Sequence, residues 1–394
     1  MTNRYFLLLI VTGVICISSG SGLASIGPFE ISNADSSSKI RLQFVGQLRT
    51  ILESRDQGAN RDRQNTGRTE ARRVRLVLSG SILKPNLSYK LHLSAAPGSS
   101  ELMDFYFDYR IADRMQIRCG QYKVPFTRYR IQSFQQLTFA DWSIVSTYFG
   151  AERQMGISVH NGYEQSAEFP YAVGLFTGVN ARASHAVGLS KLCGAARSNP
   201  SDLSDPGSNS GIHPELFFHV AYCANGIGVQ SDSDEERGGF RYSAGVSAAW
   251  DLNPVSKKDL AGRIAPEVLM KYRGASASCI GYAGFGGISD PSSSELVLLG
   301  GLFQSAYRFV RNWEVSARYS VVDVRSSLID ELLEEKPISA DAQVRREHEI
   351  TLGVNIYVMG HNLKIQNDLT WLKHSYISKS LDDFVARSQC QLAF

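Results

Sequence analysis

Phe384-Val-Ala-Arg-Ser-Gln-Cys-Gln-Leu-Ala-Phe394 closes the chain, and its alternation decides the fold. Successive side chains of a strand point to opposite faces, so Phe384, Ala386, Cys390, Leu392 and Phe394 share one face. Arg387, Gln389 and Gln391 take the other. A sheet with one apolar and one polar face is the simplest structure that satisfies this period of two.

The same period runs back through the chain. In Ile40-Arg-Leu-Gln-Phe-Val-Gly-Gln-Leu-Arg49, residues Ile40, Leu42, Phe44 and Leu48 oppose Arg41, Gln43, Gln47 and Arg49. Strands of this kind are predicted over 40–49, 73–82, 87–94, 103–110, 115–122, 155–160, 171–177 and 215–223. Eight more fall at 242–252, 264–273, 276–285, 295–308, 313–322, 347–358, 363–372 and 384–394. The total is even, and short connections such as 310–312 and 360–362 alternate with long polar ones at about 53–67, 123–154, 178–214 and 325–345. Short turns at one end and long loops at the other mark a transmembrane antiparallel β-barrel, an all-β fold class, of about 16 strands. One connection, 224–240, lies on the short side yet is long.

The beginning of the chain agrees. Residues 1–24 carry one cation, Arg4, then an apolar stretch from Tyr5 to Ile17, then small residues ending at Gly22 and Ala24. This reads as a cleaved signal peptide, too short to span a bilayer, which takes about 20 residues. Ile15 before Cys16 is not the small residue that a lipoprotein site requires. Residues 25–394 then form the barrel, and no later apolar run is long enough for a membrane helix. With 20% charged residues and a formal charge of +3, the totals say little, and the placement of the charges says more.

A C-terminal strand ending in Phe394 resembles the signal read by the barrel-assembly machinery of bacterial outer membranes. A wider resemblance, spanning nearly the whole mature chain, is to the phosphate-selective porin O and P family. It is carried by Gly120-Gln-Tyr-Lys-Val-Pro-Phe126, Arg153-Gln-Met-Gly156, Gly353-Val-Asn-Ile-Tyr357 and Gly360-His-Asn-Leu-Lys-Ile-Gln366. Arg72-Arg73-Val-Arg75-Leu-Val-Leu-Ser-Gly80 and Glu314-Val-Ser-Ala-Arg-Tyr319 add to it. The resemblance implies a sixteen-stranded homotrimer in outer-membrane lipid whose third loop, here about 123–154, folds inward as a constriction. Where the family pattern often follows Pro-Phe with an acid and then Arg, this chain has Tyr129 and Arg130, and Trp142 stands at a position often basic. The likeness therefore bears more on fold than on phosphate.

If apolar faces meet lipid, Arg41, Arg49, Arg73, Arg75, Lys90, Arg110 and Arg118 point into the lumen of the first five strands, opposed by Asp104 and Asp108. Guanidinium groups replace the hydration of phosphate or carboxylate oxygens, so this wall is the candidate pathway for small anions such as phosphate. The third loop would add Lys123, Arg128, Arg130 and Arg153 against Asp141 and Glu152. Later strands are mixed, with Glu267, Glu314, Glu349 and Asp368 beside Lys271, Arg318, Lys364 and Arg387, so inward arginines there serve equally as partners of inward acids. Phe126, Phe134, Phe139, Trp142, Tyr148 and Phe149 of the loop either narrow the channel or pin the loop to the wall, and pinning is favoured.

Outward Tyr89, Tyr109, Tyr222, Trp250 and Phe394 fit aromatic girdles at the membrane interfaces. His160, His219 and His348 lie on separate strands without a nucleophile, so no catalytic site, cofactor or metal is indicated, nor any nucleic acid partner. Gly281, Gly284, Gly286 and Gly287 precede no helix and form no phosphate loop. The mature cysteines, Cys119, Cys193, Cys223, Cys279 and Cys390, are odd in number, and Cys193 and Cys223 fall at opposite barrel ends, so free thiols are expected. The expectation is a passive outer-membrane channel for small anions such as phosphate or polyphosphate. The alternatives are a general-diffusion porin, or a non-conducting barrel acting as scaffold or adhesin.

Overall fold

Inverting the usual order of a protein, apolar outside and polar inside, is what a bilayer demands of a sheet, because backbone groups in lipid must all be paired. The computed structural model, described over residues 29–33, 37–58, 61–96, 99–151, 153–164, 167–177, 214–252, 260–286, 297–324, 344–376 and 379–394, shows that inversion throughout. A four-residue strand, β1 (Phe29–Ser32), comes first. Then follow β2 (Lys39–Arg55), β3 (Gln64–Ile82), β4 (Lys84–Ala96), β5 (Ser99–Ala112), β6 (Met115–Lys123), β7 (Arg153–His160), β8 (Tyr171–Phe176) and β9 (Glu215–Ala224). The second half comprises β10 (Arg241–Asp251), β11 (Leu260–Tyr272), β12 (Ala275–Gly286), β13 (Val297–Val310), β14 (Trp313–Val324), β15 (Val344–Met359), β16 (Leu363–Tyr376) and β17 (Ser380–Ala393).

Each strand from β2 pairs antiparallel with the next, and β17 pairs back onto β2, from Phe384↔Ser54 to Ala393↔Val45, so the barrel closes with sixteen strands. The strands predicted from alternation are these sixteen. No helix among the described residues is long and apolar enough to cross a membrane.

In β14, Glu314, Ser316, Arg318 and Ser320 are buried, whereas Val315 and Tyr319 are 44% and 43% exposed. Leu48, Phe303 and Leu352 likewise stand outward, half-exposed or more. An outer belt this apolar is stable only against lipid. Among the expected girdle aromatics, Tyr109, Tyr222, Trp250 and Phe394 are exposed.

The structure departs from the sequence reading in two elements. The polar stretch around 53–67 is mostly strand: β2 and β3 pair out to Arg55↔Gln64, leaving a tip of eight residues, 56–63. Charged side chains hide a strand when the sheet rises above the bilayer, because both faces are then wet. The second departure is β1, which pairs with β2 through Phe29↔Leu42 to Ser32↔Lys39, just beyond where Phe394 ends its own pairing at Phe44. Phe394 and Phe44 exchange backbone hydrogen bonds of 3.0 and 2.7 Å and pack rings 5.2 Å apart. β1 thus extends the edge that the last strand leaves open.

The long connections 178–213 and 325–343 lie outside the described residues, as do Cys193, Glu152 and the whole of residues 1–28. Cys119, Cys223, Cys279 and Cys390 carry no disulfide.

Candidate functional site: the lumen

The connection between β6 and β7 contains three short helical turns, Arg128–Ile131, Phe134–Gln136 and Val145–Phe149. Thr127 begins the first with a backbone φ of 62°, and its side chain caps the Arg130 N–H. From there the connection meets inward side chains of one strand after another. The Thr127 N–H donates to Ser247 of β10 at 3.0 Å, and the Arg128 N–H to Glu267 of β11 at 2.6 Å. Ser143 bonds to Ser320 of β14 at 2.6 Å, and the Ile144 N–H donates to Glu349 of β15 at 2.8 Å. The Ala140 N–H donates to Asp368 of β16 at 3.0 Å, and Lys364 donates to the Leu137 carbonyl at 2.8 Å. Gln391 of β17 donates to the Gln135 carbonyl at 3.1 Å. These bonds use the polar inner face to satisfy the backbone of a loop, which is why Lys364 and Gln391 are fully buried in a barrel interior.

Apolar contacts do the rest. Phe126, Tyr129, Leu137, Val145, Tyr148 and Phe149 are buried against inward Phe217, Ala265, Tyr282, Leu298, Leu302 and Val322. Two inner-wall glycines make room. A Cβ on Gly300 would fall 2.4 Å from the Phe149 ring, and one on Gly353 would fall 2.5 Å from the Ser316 hydroxyl and 3.0 Å from the Phe139 ring. Most loop aromatics therefore pin the loop. Phe134 differs, because it lines the open cavity and lies under Arg73 and Arg75, 5.2 and 5.9 Å from its ring.

A cavity of about 830 Å³ lies open mainly against the wall of β2–β7, with His219 of β9, Ser243 of β10 and Glu267 of β11 also lining it. Of the residues expected along the anion pathway, Arg41, Arg75, Lys90, Arg110 and Arg118 line it, as do Lys123, Arg128 and Arg153. Arg49 and Arg73 do not. Arg49 pairs with Asp141 and Glu70, both at 2.7 Å, and Arg73 meets Asp141 at 3.2 Å. Burial would raise the Asp141 carboxyl, but the charges of Arg73, Arg72 and Arg49 outweigh it and hold the group below the usual range. These arginines anchor the loop. Arg130 lies over Trp142 at 4.5 Å, and Lys123 donates to the Arg130 and Gln132 carbonyls at 3.1 and 2.9 Å.

The remaining cations differ sharply in commitment. Arg118 is 4% exposed and clamped by Asp108 at 2.9 Å and Glu164 at 3.0 Å, with the Tyr106 ring 4.3 Å away. Arg153 holds Asp104 at 2.6 Å, Arg128 holds Asp232 at 2.8 Å, and exposed Arg41 reaches Glu30 of β1 at 2.9 Å. Arg75 and Arg110 have no acid within salt-bridge distance among the described residues, and Lys90 has Asp104 only at 3.9 Å. Two nitrogens of Arg75, Nε and Nη1, lack any hydrogen-bond partner. Each lining acid has a partner, Asp104 in Arg153 and His92, Asp108 in Arg118 and His160, Glu164 in Arg118 and Glu267 in the Arg128 N–H, although Asp108 Oδ1 and Glu267 Oε2 are left without one. Burial would raise Glu164, on the turn after β7, but Arg118 and then Lys90 prevail and hold it down at about 2. No group of metal-binding side chains occurs among the described residues.

Glu30, Glu164 and Asp232 partner these cations and are absent from the sequence reading, because each sits on a connection or terminal strand whose position alternation does not give.

Over nearly its whole length the structure is similar to the outer membrane channel DcaP of Acinetobacter baumannii. The identity is 11% and the TM-score 0.57, over 92% of this chain and 99% of that one. It is the fold of an outer-membrane porin. The anion-selective porin from Comamonas acidovorans shares this porin fold at 14% identity and a TM-score of 0.54, over 91% and 100% of the two chains. Pseudomonas putida OprB does so at 13% and 0.53, over 91% and 95%. Residues 51–188 match the model of the family Phosphate-selective porin O and P. No curated protein matches the chain significantly. The porin fold places the chain in the outer membrane, with the short turns on the periplasmic side.

Proposed function

We propose that this porin-fold barrel is a passive channel preferring small anions, with the passage running along the β2–β7 wall beside the 124–151 segment, which acts as the inward-folded constriction. The observation that carries the reading is the imbalance of commitment in the cavity. Three of the four lining acids are paired with cations and Glu267 accepts a backbone N–H, while Arg75 and Arg110 have no acid partner and Lys90 only a distant one. An anion there exchanges hydration for guanidinium and ammonium donors, and spaced, weak sites release it again. The match of residues 51–188 to a phosphate-selective family and the fold shared with an anion-selective porin support the same reading.

Phosphate is one candidate solute and general anion passage the other. A chloride current titrated with inorganic phosphate separates them: block at millimolar phosphate or below supports a phosphate site, and an unaffected current supports a general anion channel. A scaffold or adhesin would carry no current. Signal cleavage at about Ala24, assembly through the strand ending in Phe394, and a homotrimer complete the proposal.

A further inference from the structure

We propose that the connection 225–240 is a wedge inserted from the periplasmic end, which together with the constriction segment seals the β12–β16 side of the lumen and so confines conduction to the basic β2–β7 wall. The inference rests on the channel reading above. Most other turns at this end are short, as at Arg273-Gly274 and Arg311-Asn312, and the β7–β8 connection, 161–170, has ten residues, whereas this one has sixteen. A turn of that length is ordinarily solvated. Here Ile227, Asp232, Ser233 and Asp234 are each at most 2% exposed, and Ile227 and Val229 pack on Cys223 and Leu269.

The polar ties run to the inner wall. Lys271 of β11 donates to the Gly228 carbonyl at 2.6 Å, Gln304 of β13 to Asp232 at 3.1 Å, and Ser233 bonds to Glu314 of β14. Asp234 accepts the Gly274 N–H at 2.7 Å and pairs with Arg241, and Glu235 meets His361 at 2.7 Å. The wedge also reaches the constriction segment, since Asp232 takes both Arg128 and Gln132 at 2.8 Å. A single carboxylate therefore joins two segments entering from opposite ends. The consequence for selectivity is geometric: the open cavity has no lining residue beyond Glu267, because the wedge covers Glu314 while the constriction segment covers Glu349 and Asp368.

The test replaces residues 225–241 by Asn-Gly, which closes a hairpin onto the Ala224↔Tyr242 pair. Single-channel current and reversal potential under a potassium chloride gradient are compared with the full chain in planar bilayers. The expected result is a conductance roughly doubled and an anion preference reduced, as a wider and less basic lumen requires. Unchanged conductance and reversal potential overturn the wedge and leave the channel reading standing. A silent full chain with a conducting shortened chain overturns the open-channel reading and supports the wedge, and silence in both overturns both. If the shortened chain gives no heat-modifiable folded band, the variant Asp232→Asn/Asp234→Asn/Glu235→Gln keeps the backbone and weakens its ties. The same shift, with added current flicker, is then expected, and wild-type behaviour overturns the proposal.

Discussion

Two arginines of equal inward parity separate charge that stabilises from charge that selects. Arg118 is cancelled by Asp108 and Glu164, whereas Arg75 faces the cavity over Phe134 without an acid. Arg75→Gln is expected to lower the anion preference in reversal-potential measurements while the heat-modifiable band stays folded, and Arg75→Lys to keep most of the preference. Arg118→Gln is expected to do the reverse, costing about 3 kcal/mol, chiefly because buried Asp108 loses its arginine partner, and lowering the melting temperature. Glu164 supplies a pH test. Its carboxyl is held low, so its pairing with Arg118 is fully present above the ordinary value and lost only as pH falls through about 2. The difference in reversal potential between wild type and Glu164→Gln should stay constant from pH 8 to about 4 and close toward pH 2. Closure between pH 5 and 4 would show an ordinary carboxyl. Parity was legible in the sequence at Arg75, Arg118 and Asp108. Commitment was not, because Glu164 and Asp141 arrive from connections far along the chain.

At the scale of elements, the 124–151 segment is held by backbone bonds to the inner wall and by rings seated on glycines. Gly300→Val places a Cβ against Phe149, and overpacking of this kind costs about 1–3 kcal/mol. The strand ladder is untouched, so the barrel is expected to fold and the segment to loosen, read as open-channel current noise above wild type. Quiet, wild-type current would contradict the seating. Gly353 stood out in the sequence only as part of a motif, and the Phe139 that needs its missing side chain lies more than two hundred residues earlier. Deleting Phe394 removes the paired backbone bonds to Phe44 and the ring contact. The folded fraction recovered from membranes should fall, and full recovery would show that β1 and the rest of β17 suffice to seal the edge.

For the whole molecule, alternation was enough to find sixteen strands because a bilayer on one side and water on the other leave no freedom in the pattern. It failed where that constraint lapses. Above the membrane, β2 and β3 continue through Arg55 and Arg68 with both faces polar, and at the other end four residues of β1 are too few to show a period. The unusual length of the 225–240 connection was visible, yet its burial depends on Asp232, Asp234 and Glu235 finding partners from Arg128 to His361. Inside this barrel the two connections use up the charges of one half and leave the other half basic. The central claim is therefore a sign, and the zero-current potential of the purified full chain in a planar bilayer under a potassium chloride gradient reads it directly. The account predicts a potential of the sign set by chloride, and a potential set by potassium, or no channels at all, would contradict it.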